Sequence, residues 1–197
     1  MKTEAGESFF GRALLLTPAV PQSLQLLAAG DVSLPERIRG DLEQINYAPC
    51  LAVLAQLAGA SLIPAPGGLW FAGEPISWMA DNQRKEVSPG NGAAITIHAG
   101  PQFSQANWET PEGEVTAALL AMAAPWLGSV PVQTQLHRWR YSLPLRVYPE
   151  RCLVLREPAP LVFAGDAFGG PRVEGATLSG LAAAAALAQL LSGTFPL

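Results

Sequence analysis

The chain is poor in charge, in cysteine and in histidine, and each shortage excludes something. Charged residues make up only 14% of the 197, against about 25% in typical soluble domains. With a net charge of −4 and no run of five basic residues, there is no electrostatic footprint for nucleic acid or for an anionic membrane surface. The two cysteines, Cys50 and Cys152, lack Cys-x-x-Cys spacing, which suits two buried free thiols in a reducing, cytoplasmic setting. The two histidines, His98 and His137, have no ligand spacing with those cysteines, so no metal is expected. Neither G-x-S-x-G nor G-x-G-x-x-G occurs. The first absence removes support for nucleophilic hydrolysis, and the second removes the dinucleotide pyrophosphate cradle. The start, MKTEAGESFF, has no secretory apolar region, and LAAAAALAQLL (Leu181 to Leu191) falls short of the ~20 residues of a membrane span. It reads as a buried helix, and no membrane partner is expected.

What is present is 49% apolar residues in well-punctuated segments. Ala13 to Leu16 predicts a strand, with Thr17 as a cap and Pro18 at the first helical position. Val20, Leu24 and Leu27 then form a helical stripe stopped at Gly30. Ser33 to Glu36 matches a capping box ahead of the stripe Ile38, Leu42, Ile45. Tyr47 to Leu57 predicts a strand, Pro64 to Gly68 a turn, Leu69 to Ala72 and Ile76 to Met79 a paired strand and return, and Ala94 to His98 a third β segment. Thr110-Pro111-Glu112 starts a helix carrying Val115, Leu119, Met122 and Trp126, with Pro125 disrupting its last turn.

Val132 to Leu143 is extended, and period-two geometry puts Gln135, His137, Trp139 and Tyr141 on one face. That set suits the wall of a ligand cavity, although plain core is the commoner use of aromatic residues on a sheet face. Asp81, Asn82, Arg84 and Lys85 read most simply as a solvated hairpin tip. The final unit is Leu153 to Leu155, the strand Leu161 to Ala164, a glycine-rich turn, and a helix from Val173 to Leu191. The run LVFA fits a strand covered on both faces, the habit of parallel sheets. The fold class is therefore α/β with α+β character: an antiparallel sheet with helices, inserted between α/β pieces.

In LVFAGDAFGGPRVEGATLSG (Leu161 to Gly180) a carboxylate ends the strand and a helix N-terminus follows. Together with ALLLTPAVPQSLQLL, YAPCLAVL, ISWMADNQRK and LHRWRYSLP, in that order, this block resembles the renalase-like NAD(P)/FAD-dependent oxidoreductases of the flavin amine oxidase superfamily. The resemblance implies a partial FAD-domain strand and helix over residues 1–30, a substrate domain with an antiparallel sheet over 31–150, and a closing Rossmann-type FAD-domain strand, Gly-Asp turn and helix over 151–197. It implies FAD as cofactor, held by Gly165, Asp166, Ala167, Arg172, Glu174, Gly175 and Ala176, with Trp139, Tyr141 and His137 toward a small-molecule substrate and no obligatory side-chain base. Asp166 would accept from ribityl hydroxyls, and the last helix would face the flavin N1/O2 edge. The activity implied is hydride transfer from a dihydronicotinamide or an amine to flavin and then to oxygen. The opening βαβ unit of such a protein is not in this sequence, so the AMP and pyrophosphate half of FAD has no cradle here. Three readings stay open: a catalytic oxidoreductase, a non-catalytic truncated piece or subunit that needs a separate Rossmann-bearing chain or self-association, or a full-length enzyme whose opening unit lies ahead of this sequence.

Overall fold

The computed structural model describes residues 3–87 and 92–192. In chain order the elements are β1 (Leu14–Leu16), α1 (Val20–Ala29), α2 (Glu36–Glu43), β2 (Tyr47–Leu57), β3 (Gly68–Trp70), β4 (Ile76–Asp81), β5 (Ala94–Ala99), α3 (Pro101–Ala106), α4 (Glu112–Leu127), β6 (Pro131–Pro144), β7 (Leu153–Leu155), β8 (Leu161–Phe163), α5 (Asp166–Gly169) and α6 (Val173–Ser192). They form two compact units, Met1–Tyr47 with Pro144–Leu197, and Ala48–Leu143. The second unit lies within the stretch 31–150 expected for the antiparallel domain; α2 belongs to the first unit, beside α1.

The first unit is built on a three-stranded sheet ordered β1-β8-β7. β1 pairs parallel with β8, Leu14 opposite Leu161 and Leu16 opposite Phe163, and β7 pairs antiparallel with β8. Leu161, Val162 and Phe163 are all buried because both faces of β8 are covered. On one side Leu16, Val20, Leu27, Leu42, Ile45 and Phe163 form a core with α1 and α2. On the other, Val162 and Ala164 pack under Ala183 of α6. Each large apolar side chain so buried contributes about 1.5–3 kcal/mol.

The helix starts differ from the sequence expectation. The N-cap of α1 is Ala19, not Thr17, and the early proline is Pro21 rather than Pro18. The Val20 N–H instead donates to the Tyr47 hydroxyl at 3.2 Å, so a distant residue satisfies an end group that no local side chain reaches. The capping box at Ser33 does not form, because Pro35 itself occupies the N-cap of α2 with no side-chain bond. α6 is not buried: of its residues only Gly175, Ser179 and Ala183 are. Its 20 residues are long and apolar enough to cross a membrane by length and composition, yet one side packs on β7 and β8.

The second unit carries a five-stranded sheet ordered β3-β4-β5-β2-β6. β3, β4, β5 and β2 are antiparallel neighbours, with Met79 and Val53 both opposite Ile97. Leu51, Val53, Leu57, Met79, Ile95 and Ile97 meet Val115, Leu119 and Ala123 of α4 in the core. α4 runs through Pro125 and stops only at Gly128, whose φ of +73° closes the helix in the left-handed region. Pro125 costs the last turn one i→i−4 hydrogen bond, to the Ala121 carbonyl, without ending the helix. Met122, expected on the apolar stripe, is 39% exposed.

Asp81 does not belong to a solvated hairpin tip. It is 2% exposed, accepting from the Ser61 hydroxyl at 2.6 Å and from the Gln83 and Arg84 N–H groups at 2.9 and 3.1 Å. The Arg84 guanidinium stands 3.6 Å away. Only Cys50 of the two cysteines is buried; Cys152 is half-buried.

Candidate functional site

In the first unit the chain leaves β8 through Ala164 into Gly165, whose φ of +137° belongs to the region that favours glycine. The Gly165 N–H donates to the Ser179 hydroxyl of α6 at 2.9 Å, and Ser179 is fully buried. The Gly165 carbonyl accepts from the Phe168 and Gly169 N–H groups, winding the next residues into α5. Asp166 therefore stands at the first position of α5, beyond the C-terminal ends of the parallel pair β1 and β8. In open α/β sheets that end of the strands is where ligands bind.

Asp166 is half-buried, and burial pushes its carboxyl above the usual range, while the N–H groups of Ala167 and of Asp166 itself pull the other way. Its charge in turn adds to the burial that raises the Tyr47 hydroxyl. Ala167 is buried beneath it, and its carbonyl accepts from the Tyr148 N–H at 2.7 Å. The Phe168 ring lies 5.4 Å from Tyr148 and 6.3 Å from Phe163, which anchors the turn in the core.

α6 then crosses α5 backbone to backbone. A β-carbon on Gly175 would stand 2.5 Å from the carbonyl oxygens of Gly169 and Gly170. The close approach that glycine permits at this position is thus occupied by α5. Arg172 and Glu174 are exposed on the way into α6, and Ala176 is half-buried, its N–H donating to the Arg172 carbonyl.

In the second unit the sheet face opposite α4 carries an aromatic row. Trp70 is opposite Trp78, and Trp78 is opposite His98. The rings follow this register, with centroids 6.4 Å apart for the two tryptophans and 4.9 Å for Trp78 and His98. The Lys85 ammonium stands 5.5 Å over Trp78, and the Asn82 amide donates to the Thr96 hydroxyl at 2.9 Å. Burial pushes the His98 imidazole below its ordinary value, and the Lys85 charge adds to that.

On β6 Leu136 is buried, and Arg138 donates to the carbonyls of Trp108 and Thr110 while Arg140 covers the Trp108 ring. Alternation puts Gln135, His137, Trp139 and Tyr141 on the other side. The rings of His137 and Trp139 meet at 4.1 Å, with Trp139 52% exposed. A cavity of about 170 Å³ lies along this sheet, lined by Leu54, Gln56, Asn82, Gln133 and Gln135. That is below the ~300 Å³ of a complete small-molecule pocket.

Over residues 1–188 the chain matches the family of flavin-containing amine oxidoreductases. It belongs to that family. No curated protein matches it significantly by sequence. Among solved structures, it is similar to a protein of Exiguobacterium sp. 255-15 named as a protoporphyrinogen oxidase, with a TM-score of 0.66 and 20% identity over 97% of this chain and 43% of that one. Cyclohexylamine oxidase of Brevibacterium oxydans IH-35A gives 0.63 and 16% identity, covering 92% and 44%. A variant of putrescine oxidase gives 0.59 and 18%, covering 89% and 42%. At these identities the likeness establishes the fold. This flavin amine oxidoreductase chain spans less than half the length of the solved relatives it matches.

The family assignment makes the cofactor FAD, and the residues present fit one end of it. Asp166 is an acceptor carboxylate whose bonds are to backbone N–H groups at the start of α5, leaving further lone pairs for hydroxyl donors. For the pyrophosphate half this sequence offers no glycine-rich cradle. Alternation along any single strand does not bring Trp70, Trp78 and His98 together. Their signal was the register of the hairpin, since aligning the Ile76 and Ala94 segments sets Trp78 against His98.

Proposed function

We propose that this chain supplies the flavin-facing end of an FAD-dependent oxidoreductase of the renalase type. The observation that carries this reading is Gly165-Asp166 at the C-terminal end of β8, fixed from α6 through Ser179. Asp166 would hold the ribityl chain by accepting hydrogen bonds from its hydroxyls, and the positive end of α6, around Glu174 and Ala176, would favour negative charge on the bound flavin. When bound, FAD supplies acceptance of hydride from the substrate and its passage to dioxygen. The side chains of this chain position and exclude water; none is required as a base.

The open sheet face supports a dihydronicotinamide rather than a protonated amine as substrate. Its strand residues, including Trp70, Trp78, Thr96, His98, His137 and Trp139, contain no carboxylate to pair with an ammonium. The Trp78 ring, the natural seat for a cation, already has Lys85 over it. A neutral or anionic planar ring is the better complement.

A second reading is favoured by the absence of a G-x-G-x-x-G cradle from these residues: a subunit or part that binds FAD only together with a Rossmann-bearing unit. One experiment separates the two. The purified chain is mixed with excess FAD, gel-filtered, and its visible spectrum recorded. Retained flavin absorbance is expected for the autonomous enzyme, and a colourless protein for the subunit. If no preparation, alone or in complex, retains flavin, the oxidoreductase reading fails.

A further inference from the structure

Trp78 and Ala80 alternate onto the open face of the five-stranded sheet along β4, opposite His98 and Thr96 on β5. Just beyond β4 the chain turns, and several bonds hold the turn. The Asn82 N–H donates to the Ala94 carbonyl at 2.8 Å and its amide to the Thr96 hydroxyl, while the Lys85 N–H donates to the Asp81 carbonyl at 3.2 Å. The backbone of Lys85 is thus fixed to the end of β4. Its side chain runs back over that strand and places the ammonium 5.5 Å over the Trp78 ring.

The nearest buried acid is already committed. Asp81 accepts from Ser61 and from two backbone N–H groups, with the Arg84 guanidinium beside it. Among the described residues no carboxylate pairs with Lys85. An exposed ammonium gains little from the face of a ring, so an anion offered to its three N–H donors displaces that contact at small cost. His98 packs beside the same ring, centroids 4.9 Å apart. Burial and the Lys85 charge favour its neutral form, which offers one N–H donor. The cavity lined by Gln56, Asn82 and Gln135 opens along the same face, with the small residues Ala80 and Thr96 between it and the Trp78–His98 pair. Such a shallow trough suits one flat ring.

We infer that Lys85 is a specificity-determining residue: the open face takes a planar ring carrying an anionic group, carboxylate or phosphate, with the ring against Trp78 and the anion on the Lys85 ammonium and the His98 imidazole. This rests on the oxidoreductase reading above for the ligand's being the substrate. It adds the charge of that substrate and the side chain that selects it.

The full chain, without added FAD, is titrated with nicotinate, nicotinamide, phenyl phosphate and benzylamine, and each Kd is read from NMR shifts. Nicotinate and nicotinamide share a ring and differ in charge. Nicotinate should bind about tenfold tighter than nicotinamide, and benzylamine weakest. Lys85→Met, at an exposed position and verified as folded by circular dichroism, should weaken both anions by about tenfold and leave nicotinamide within about twofold; Lys85→Arg, which keeps the charge, should restore them. The tighter of nicotinate and phenyl phosphate tells which anion the site takes. Equal affinity for nicotinate and nicotinamide, a preference for benzylamine, no saturable binding of any probe, or anion binding unchanged by Lys85→Met overturns the inference. Flavin retention is read separately: a chain that holds FAD yet shows no anion preference defeats the Lys85 assignment alone, and an anion preference in a chain that never holds flavin leaves the site standing and defeats the oxidoreductase reading.

Discussion

Gly175 lies against Gly169 so closely that a β-carbon on it would stand 2.5 Å from the Gly169 carbonyl oxygen, with the Gly170 carbonyl equally near. Both obstacles are backbone, so neither can swing aside. An exposed Gly→Ala change in a helix normally gains ~1 kcal/mol. Gly175→Ala should reverse the sign and cost about 2–3 kcal/mol through overpacking. Gly180→Ala in the same helix meets nothing within 4 Å and should gain ~0.5–1 kcal/mol. Urea denaturation of the two variants checks the pair; a stabilised Gly175→Ala would refute the close crossing.

Asp81→Ala removes the acceptor for the Ser61 hydroxyl and for two backbone N–H groups in a buried site. Hydrogen bonds to charged groups are worth ~1.5–3 kcal/mol each, so the variant should lose at least about 3 kcal/mol. Ser61→Ala, which deletes one donor and leaves Asp81 its others, should lose ~1 kcal/mol. Equal losses for the two would show that the carboxylate does not organise this turn.

Asp166 sets an acid limit on cofactor retention. Its carboxyl is raised by burial, and only the ionised form accepts from hydroxyls without also donating. FAD affinity of the flavin-holding assembly should therefore fall as pH drops through a window above the ordinary Asp value of about 3.9. For folding the sign is opposite: a raised native pKa favours the protonated native state, so this group's contribution to stability declines as pH rises through the same window. Asp166→Asn should weaken FAD by about tenfold, ~1.4 kcal/mol, and flatten the acid limb. Fluorescence titration with FAD at several pH values tests both effects.

Burial pushes the Cys50 thiol up to about 11, with its hydrogen bonding to the Ser142 side chain and to the Ala99 carbonyl working the other way. Cys152 is half-buried, and burial pushes its thiol up as well. At pH 8 a disulfide reagent such as DTNB should modify Cys152 in the native chain and leave Cys50 untouched, while both react in urea. Labelling of Cys50 at a rate matching Cys152 would contradict its enclosure.

Much of the fold was legible because apolar runs and breakers coincide with element ends. Tyr47 to Leu57 is β2 without adjustment, and Val173 starts α6 as its spacing predicts. The misses are places where a remote group decides. α3 is six residues long and is capped by Glu74, whose carboxylate accepts from Gln102 and Phe103. α1 takes its cap from Tyr47 instead of Thr17, and local signals name neither donor nor acceptor. The burial expected of α6 fails along most of its length because alanine and leucine look alike in a core and on a surface. At the candidate site, Asp166 could be found from its neighbours in sequence. Trp78 with His98 needs the pairing of two strands as well, since their meeting depends on register.

The pairing of Leu14 with Leu161 has a consequence for how the chain is made. The unit Ala48–Leu143 is continuous and can close while the ribosome is still at work. The unit around β1 must wait, since its central strand and α6 emerge last and its contacts span most of the chain. Nascent chains arrested before Leu161 should therefore hold a finished antiparallel sheet and an apolar β1 whose partner β8 has not yet been made, the stage at which a chaperone would find most to bind.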